Sequence, residues 1–455
     1  MFKKLNQLKQ KKTLIVIFTS LVFFNTGQLD TINITVLPNV LNNRSEFCEN
    51  NQSENICTNQ ILEKEINIKM SYLIIGKYTS RLFSGFFIGL FIDNYGYFLM
   101  IGIGIVLEFF TIFVYFVSDF NVNLHLLARV IDGAGSVCLN CSSFAWIWLT
   151  FNGSNIHAIF IGLMNMFYFF GISVAPFIGG ALNNVFNFTV LIVYLFIVHF
   201  VIFVLYILIY FVIIKSPIKK NEASVSHILQ EKHEPSNHCF SLVNSSIFHF
   251  LKKTELNKIF YVIFALYSDP FILTCCIGIF ITNSTITAFS ITTPIWMLRS
   301  FNSNEMDSGL VWIPAAGLYV LTTFFSTIVF FKWPQWRYLG PFFSTIIQGI
   351  GLILLPYFNH PWLVALSISF GFQSISINEY VLFPLTFDLI SQRHGKEHLG
   401  KGSAMTVGSV SAGALFGGLL SCLLVNEVGF KLFFIGYGTL SFILASINLL
   451  LKRYC

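Results

Sequence analysis

The stretch Gly89-Leu90-Phe91-Ile92-Asp93-Asn94-Tyr95-Gly96-Tyr97 separates two strongly hydrophobic segments, at about 70–92 and 97–118. Each segment has the roughly 20 apolar residues that a helix needs to cross the hydrocarbon core of a bilayer. One acid and two glycines between such segments indicate a tight polar turn. The stretch therefore predicts two consecutive membrane-spanning helices joined by a short turn.

The same pattern recurs along the whole chain of 455 residues, of which 55% are hydrophobic and 11% are charged. Soluble proteins contain about 25% charged residues, so the composition excludes a soluble globular protein. Twelve segments are long enough to span a bilayer. They lie at about 13–37, 70–92, 97–118, 124–150, 156–182, 189–214, 260–288 (continuing toward 298), 307–331, 338–357, 362–390, 402–425 and 429–451.

A polar stretch at 215–258 separates the sixth segment from the seventh. Its length and its content of lysine, histidine and serine predict a flexible linker. The linker divides the chain into two six-helix halves, at 13–214 and 259–451. The predicted fold class is an all-α membrane protein with twelve transmembrane helices in these two halves.

Basic residues mark one side of the membrane. They occur in 1–12, in the linker, in the loop Arg393-His394-Gly395-Lys396 and in the end at 452–455. The positive-inside rule places these segments in the cytoplasm, and an even number of spans puts both termini there. The net charge of +6 therefore indicates membrane topology, and nucleic-acid binding is not predicted.

The loop at 38–69 is predicted to face a lumen or the cell exterior. It contains N-x-S/T sequons at Asn43 and Asn51, and two cysteines, Cys48 and Cys57. That compartment permits glycans and a disulfide. We predict glycosylation and a Cys48–Cys57 bridge, with unmodified sequons as the alternative.

Two six-helix halves joined by a cytoplasmic linker resemble the major facilitator superfamily. The opening stretch is similar to the G-x-x-x-D-x-x-G-R/K signature of that family, through Gly89, Asp93 and Gly96. The resemblance implies that these residues lock the cytoplasmic ends of the halves together. Tyr97 and Phe98 stand where basic residues are usual, so we expect a weaker or differently made lock. A chance tight turn is the alternative.

Helix four contains Arg129-Val130-Ile131-Asp132-Gly133-Ala134-Gly135. It resembles the R-x-x-x-G-x-G element of the family, in which a membrane-embedded arginine relays protons. Arg129 and Asp132 lie three residues apart on one helix face and can pair locally. A neutralised pair that merely lets the helix insert is therefore the alternative to a relay.

Helix five contains Gly171-Ile172-Ser173-Val174-Ala175-Pro176-Phe177-Ile178-Gly179-Gly180. It resembles the antiporter signature G-x-x-x-G-P-x-x-G-G, with Ala175 replacing one glycine; the matching residues are Gly171, Pro176, Gly179 and Gly180. Small residues allow close helix contact and proline loosens the backbone hydrogen bonding. The resemblance implies an exchanger rather than a symporter.

The resemblance extends over about 13–451 to the vesicular amine transporter family, which includes monoamine, acetylcholine and polyamine carriers. The matching elements keep their order along the chain. They are Asp30 with Thr35 and Pro38, Lys77, Asp269-Pro270, Asn283, Pro294, Ile313-Pro314, Tyr319, and Glu379 five residues before Pro384.

Three positions depart from the family pattern. Ser290 stands where monoamine carriers have a glutamate, Ser409 where they have the eleventh-helix aspartate, and Phe416 where they have a tyrosine. That aspartate pairs with the lysine matching Lys77 in the family. Lys77 is therefore expected to pair with Asp30 or Glu379, or to lose its proton, because an unpaired buried ammonium is costly. The sequence indicates a divergent member rather than a monoamine carrier.

The implied function is proton-coupled antiport of a small organic cation, an amine or a polyamine. A cation in a low-dielectric cavity needs a carboxylate and benefits from aromatic faces. The predicted binding residues are Asp30, Asn283, Trp312, Tyr319, Glu379 and Phe416, with plain apolar packing as the alternative for the three aromatic side chains. The predicted proton-coupling and ion-pair residues are Asp30, Lys77, Arg129, Asp132 and Glu379.

Two other functions fit the same sequence. One is a multidrug or metabolite antiporter of the same superfamily, with a more hydrophobic and less acid-dependent site. The other is a transport-inactive scaffold or receptor, which the serines at Ser290 and Ser409 favour and the retained charges oppose.

An enzyme is not predicted, because no nucleophile elbow or His-x-x-His pattern occurs. No cofactor or metal is expected either, since Cys138 and Cys141 lie in an apolar helix without a second pair at zinc spacing. The expected partners are the organic cation, protons and the lipid bilayer. We predict a monomer in a vesicular or secretory-pathway membrane, or in the plasma membrane.

Overall fold

A computed structural model describes residues 2–32, 55–118, 121–151, 156–186, 188–213, 266–301, 309–395 and 398–453. Twelve long helices occupy this part of the chain. They are α1 (Phe2–Thr31), α2 (Asn55–Tyr95), α3 (Tyr97–Val117), α4 (Val122–Thr150), α5 (Ile156–Val185), α6 (Phe188–Ile213), α7 (Pro270–Phe301), α8 (Trp312–Lys332), α9 (Leu339–Leu354), α10 (Pro361–Arg393), α11 (Leu399–Val428) and α12 (Phe430–Ala445).

Ten of these helices are long and apolar enough to cross a membrane by length and composition. The other two are α2 and α10, which carry Lys77, Arg81 and Glu379. Charges are costly against lipid, and both helices pack against the opposite half: α2 lies along α11, and α10 lies against α5. These two helices thus lie at the interface between the halves.

Several helices extend beyond the predicted spans. The first helix begins at Phe2, the second at Asn55, and the seventh ends at Phe301. Hydrophobicity marks the part of a helix that lies in hydrocarbon, and a helix can continue past that region with polar side chains. Residues 55–69, predicted as loop, are therefore helical. The predicted linker, Asn43, Cys48, Asn51 and the side chain of Cys57 lie outside the described part of the chain.

The turn between α2 and α3 depends on one glycine. Gly96 has φ of +88°, a conformation that side-chain-bearing residues rarely adopt. Its N–H donates to the Ile92 carbonyl at 3.0 Å and closes the last turn of α2. The next helix starts directly afterwards, at Tyr97.

Glycines also bring α1 and α5 into backbone contact. A Cβ added to Gly27 would overlap the carbonyl oxygen of Tyr168, and a Cβ added to Gly171 would overlap that of Phe24. Small residues at such contacts let two transmembrane helices approach closely. This contact sets Tyr168 beside the last turn of α1, where Asp30 lies.

Candidate functional site

Lys77 lies at the centre of a buried charged cluster in the first half. Its ammonium donates to Asp30 Oδ1 and to Asp132 Oδ2, the latter at 2.5 Å. Lys77 is 2% exposed and Asp132 is fully buried. The structure therefore pairs Lys77 with Asp30, one of its two expected partners, and adds Asp132 from the same half. It does not pair Lys77 with Glu379.

Arg129 joins this cluster from α4. Its Nη1 lies 3.5 Å from Asp132 Oδ2 and donates to the carbonyl oxygens of Leu29 and Asp30 at 3.3 and 3.2 Å. The last carbonyls of a helix have no intrahelical donor, so Arg129 caps the end of α1. The local pair given as the alternative to a proton relay is present, and the relay stays a prediction.

Two members of the cluster are not among the predicted site residues. Tyr168 donates to Asp30 Oδ2 at 2.5 Å, and Arg81 Nη1 lies 3.7 Å from the same oxygen. The sequence holds a signal for Arg81, since it follows Lys77 by four residues and shares its helix face. Tyr168 has no such signal, because its place depends on the contact between α1 and α5.

A small cavity of about 30 Å³ adjoins the cluster at the interface between the halves. Its volume has room for water but not for an organic amine. The first half contributes Asp30, Lys77 and Arg129, and the second half contributes Thr287 and Ser290. In this arrangement charged groups of one half face hydroxyl groups of the other across the cavity.

Ser290 and Ser409 show what replaces the two acids that the family pattern has. Ser290 Oγ donates to the Ile286 carbonyl at 2.8 Å, on the cavity wall. Ser409 Oγ donates to the Met405 carbonyl at 2.9 Å. Both hydroxyls thus donate hydrogen bonds to carbonyls of their own helices. The carboxylates that pair with Lys77 both belong to the first half.

Glu379 is the buried acid of the second half, 3% exposed on α10. Asn283 Nδ2 donates to Glu379 Oε1 at 3.3 Å, so the structure brings these two predicted residues together. Among the described residues, no cationic nitrogen lies within the 4.0 Å of an ion pair with Glu379. Arg81 and Tyr319 nevertheless interact with it electrostatically. Glu379 is thus much less neutralised than Asp30.

Trp312 and Tyr319 belong to an aromatic cluster between the halves. The Tyr319 ring stacks on Phe169 at 4.6 Å, and Trp312 meets Phe372 edge to face at 5.7 Å. Phe416 lies elsewhere: it is 40% exposed and packs on Phe280. Its position agrees with plain apolar packing, the alternative given for it, and not with a wall of the cavity.

The opening stretch of sequence contacts the second half directly. Asp93 Oδ1 accepts from the Gly400 N–H at 2.8 Å, and Asp93 Oδ2 lies 3.6 Å from Lys401 Nζ. A Cβ on Gly89 would lie 2.7 Å from the Cβ of Ala404, so α2 and α11 touch at this glycine. The base missing after Gly96 is thus supplied by α11.

Aromatic packing occupies the two positions where basic residues are usual. Tyr97 stacks on Trp146 at 5.4 Å, and Phe98 stacks on Tyr206 at 4.6 Å. These rings join α3 to α4 and α6 within the first half. The role of the opening stretch as a lock between the halves stays a prediction.

At the other end of the molecule, α5 contacts the segment that leads into α8. A Cβ on Gly309 would lie 3.0 Å from the Cα of Phe177, next to Pro176. Gly179 approaches α1 at the Ile32 carbonyl, and Gly180 is also buried. The proline- and glycine-rich part of α5 thus contacts both α1 and the second half.

Two histidine–carboxylate pairs lie outside the central cluster. His199 Nε2 lies 3.0 Å from Glu108 Oε2, and Asn25 donates to the same oxygen at 3.3 Å. His157 Nε2 lies 3.2 Å from Asp388 Oδ1 and links α5 to α10. No group of three or more metal-binding side chains occurs within the described ranges.

Known proteins resemble this chain over most of its length. The model of the Major Facilitator Superfamily matches residues 60–407. The vesicular acetylcholine transporter of Torpedo torpedo is 21% identical over 470 residues, which cover 99% of this chain and 84% of that protein. The synaptic vesicular amine transporter of Homo sapiens is 23% identical over 334 residues, which cover 72% of this chain and 56% of that protein.

A solved structure shows the same fold. The crystal structure of the human organic anion transporter MFSD10 (TETRAN) matches with a TM-score of 0.66 and 10% identity, covering 96% of this chain and 99% of that one. At that identity the likeness concerns the fold alone. The chain is an integral multi-pass membrane protein that belongs to the major facilitator superfamily of transporters, and it is a distant relative of the vesicular acetylcholine and amine transporters.

Proposed function

We propose that this protein exchanges protons for a small organic cation, an amine or a polyamine, by alternating access. The observation that carries the proposal is the pair of buried carboxylates, Asp30 and Glu379, on opposite halves of one interface. The positive charge of Arg81 interacts with both carboxylates. The names of the relatives, acetylcholine and amine transporters, support a cationic substrate.

The two acids differ in how they are neutralised, and this difference suggests their roles. Asp30 is bound by Lys77 and Tyr168 and faces Arg81. Glu379 has a neutral partner, Asn283. A buried carboxylate without an ion pair is costly to keep charged. We therefore assign Glu379 as the group that binds either a proton or the substrate ammonium, and Asp30 as the fixed anion of the first half.

Exclusive binding at one carboxylate gives exchange. When the ammonium leaves, a proton neutralises Glu379, and the carrier can return without a buried bare charge. When a cation binds from the opposite side, that proton is released. The substrate and the proton then move in opposite directions, because they compete for the same oxygen atoms.

Alternating access needs the halves to rock around the site. The contacts at Asp93–Gly400 and at Gly309–Phe177 close opposite ends of the interface. The cavity of about 30 Å³ must enlarge before an amine can bind. We propose that opening at one end requires the contact at that end to separate while the other contact holds.

The basic segments support an orientation with both termini in the cytoplasm. In this orientation the Asp93–Gly400 contact is cytoplasmic and the Gly309–Phe177 contact is lumenal or extracellular. The vesicular relatives support a secretory-pathway membrane, with the plasma membrane as the alternative.

The test is a substrate screen with the purified full chain in proteoliposomes that hold an acidic interior. We expect uptake of at least one amine or polyamine, and we expect an uncoupler that collapses the pH gradient to abolish it. Equal uptake with and without the gradient would contradict proton exchange. Uptake of hydrophobic neutral compounds instead of cations would favour the multidrug alternative. No uptake of any compound by well-folded protein would favour a scaffold or receptor.

A further inference from the structure

Arg81 is a basic group of the central cluster whose charge interacts with acids of both halves. It is 2% exposed on α2, and its charge interacts with Asp30 of α1, Tyr168 of α5 and Glu379 of α10. Neither the fixed anion nor the exchange site of the proposed function requires an arginine here. Its position calls for a separate explanation.

The guanidinium is incompletely satisfied by the protein. Within the described part of the chain, no atom accepts a hydrogen bond from Arg81 Nε or Nη1, although both atoms are buried. Nη1 lies 3.7 Å from Asp30 Oδ2, beyond hydrogen-bond distance. The Asp30 oxygens already accept from Lys77 and Tyr168. Tyr168 also contacts the guanidinium through its hydroxyl, which leaves two donor nitrogens available.

The charges of the first half do not balance. Lys77, Arg81 and Arg129 carry three positive charges, and Asp30 and Asp132 carry two negative ones, so the five groups sum to +1. Lys77 contacts both acids, Arg129 lies 3.5 Å from Asp132 Oδ2 and Arg81 lies 3.7 Å from Asp30 Oδ2, so three cations share two carboxylates. One further negative charge at this place would balance the cluster.

Glu379 cannot provide that charge throughout a transport cycle. If it binds a proton or the substrate ammonium, as the proposed function requires, it is no longer a free anion. Arg81 then shares Asp30 with Lys77 and keeps two buried donor nitrogens without an acceptor among the described residues. A single carboxylate on the substrate has the right charge and the right hydrogen-bond acceptors for a guanidinium. A phosphate would bring close to two negative charges, more than the cluster lacks.

We propose that the substrate is a zwitterion, a small amine that also carries a carboxylate, as an amino acid does, and that Arg81 binds this carboxylate. The ammonium of the same molecule binds Glu379, so the two ends of the substrate lie across the interface between the halves. This inference rests on the proposed function and narrows its substrate from an organic cation to an amino acid-like compound. Arg81 is thereby the residue that determines specificity.

The test compares matched pairs of compounds that differ only by the carboxylate. Suitable pairs are tryptophan and tryptamine, histidine and histamine, and tyrosine and tyramine. Uptake into proteoliposomes is measured for the full chain, for Arg81→Lys and Arg81→Gln, and for Arg393→Lys as the matched control. Arg393 pairs with Asp269 at 2.6 Å at the end of α10, away from the cluster.

We expect the unmodified protein to prefer the carboxylate member of at least one pair by about tenfold or more in kcat/KM. Arg81→Gln should remove this preference mainly by raising KM for the zwitterion. Arg81→Lys should reduce it, because an ammonium lacks the planar fork of a guanidinium. The Arg393→Lys control should keep the preference of the unmodified protein.

Preference for the amine member of every pair in the unmodified protein would overturn the inference without needing any variant. So would a zwitterion preference that both Arg81 variants retain. If amines are taken up with a proton gradient but carboxylates give no advantage, the inference fails and the proposed function stands. If neither member of any pair nor any polyamine is taken up, both fail together.

Discussion

The two halves of the molecule treat buried charge in opposite ways. The first half places five charged groups in contact, and Lys77 lies within hydrogen-bond distance of both Asp30 and Asp132. The second half places one acid, Glu379, beside an amide and a tyrosine. The first arrangement fixes charges in place, and the second leaves a carboxylate that must take its counter-charge from outside.

The neighbouring side chains of the second half strengthen this contrast. Around the cavity, Thr287 and Ser290 return their hydroxyl hydrogen bonds to their own helix, at 3.1 and 2.8 Å. They provide polarity without charge. The difference between the halves therefore supports the proposal that Glu379 exchanges ligands and that Asp30 is a fixed anion.

The largest expected effect comes from removing the buried charge of the second half. Glu379→Gln keeps the shape and the hydrogen bond from Asn283 but removes the charge, so proton-driven uptake should fall by about 100-fold or more. Expression and folding should persist, because a neutral amide is cheaper to bury than a carboxylate. Glu427→Gln, at an exposed position of α11, is the matched control. Unchanged uptake by Glu379→Gln would sink the exchange mechanism.

The next largest effect comes from removing one negative charge from the cluster of the first half. Asp30→Asn raises the net charge of the five-group cluster from +1 to +2 and should cost about 3–5 kcal/mol of stability, because it leaves buried cations unpaired. Thermal unfolding in detergent measures this loss. The double variant Asp30→Asn/Lys77→Gln returns the cluster to +1 and should recover most of the stability. A double variant no more stable than Asp30→Asn would show that the two groups do not act as a pair.

A third prediction concerns the contact between α2 and α11, which the proposed orientation places at the cytoplasmic end. Gly89→Ala places a methyl group 2.7 Å from the Ala404 Cβ and 2.9 Å from the Gly400 oxygen, so it should separate α2 from α11 and slow uptake several-fold, at a cost of about 1–3 kcal/mol. Gly317→Ala is the control, since its added Cβ meets nothing within 4 Å. Labelling of cysteines introduced on the cytoplasmic side should rise in Gly89→Ala only. Equal labelling in both variants would argue against a closing contact.

The smallest effect sharpens the assignment of the aromatic residues. Phe416→Ala should change uptake by less than about twofold, because Phe416 is 40% exposed and away from the charged groups. Trp312→Ala should reduce uptake or stability clearly more, since a buried aromatic side chain is worth about 3–5 kcal/mol. Initial uptake rates, normalised to the amount of folded protein, compare the two. A strong loss in Phe416→Ala alone would return Phe416 to the site.

Sequence patterns were sufficient for the broad architecture because hydrocarbon imposes a simple rule. Every segment that crosses it must be helical and about 20 residues long, and the twelve described helices correspond to the twelve predicted segments. The ends of the helices could not be read in the same way. Helix α2 begins at Asn55 because hydrogen bonding continues where hydrophobicity stops.

The candidate site could be predicted only in part. Asp30, Lys77, Arg129, Asp132 and Glu379 were visible because ionisable groups inside hydrophobic segments are rare and costly. Their pairing was not, since Lys77 had several possible acids. The sequence left Phe416 open between a site wall and apolar packing, because its place in the family pattern does not specify the direction in which its helix face turns.

The sequence by itself determined that this protein is a twelve-helix membrane protein with acids in both halves. Ionisable residues are rare in hydrophobic segments, so each one can be identified from the sequence. The tertiary structure alone decided which charges meet. Glycines at Gly27 and Gly171 let α1 and α5 touch and bring Tyr168 to Asp30. The contact of α2 with α11 gives Asp93 a partner some 300 residues away in the chain, Gly400. Such pairings depend on helix rotation and separation, which side-chain periodicity within one helix does not specify.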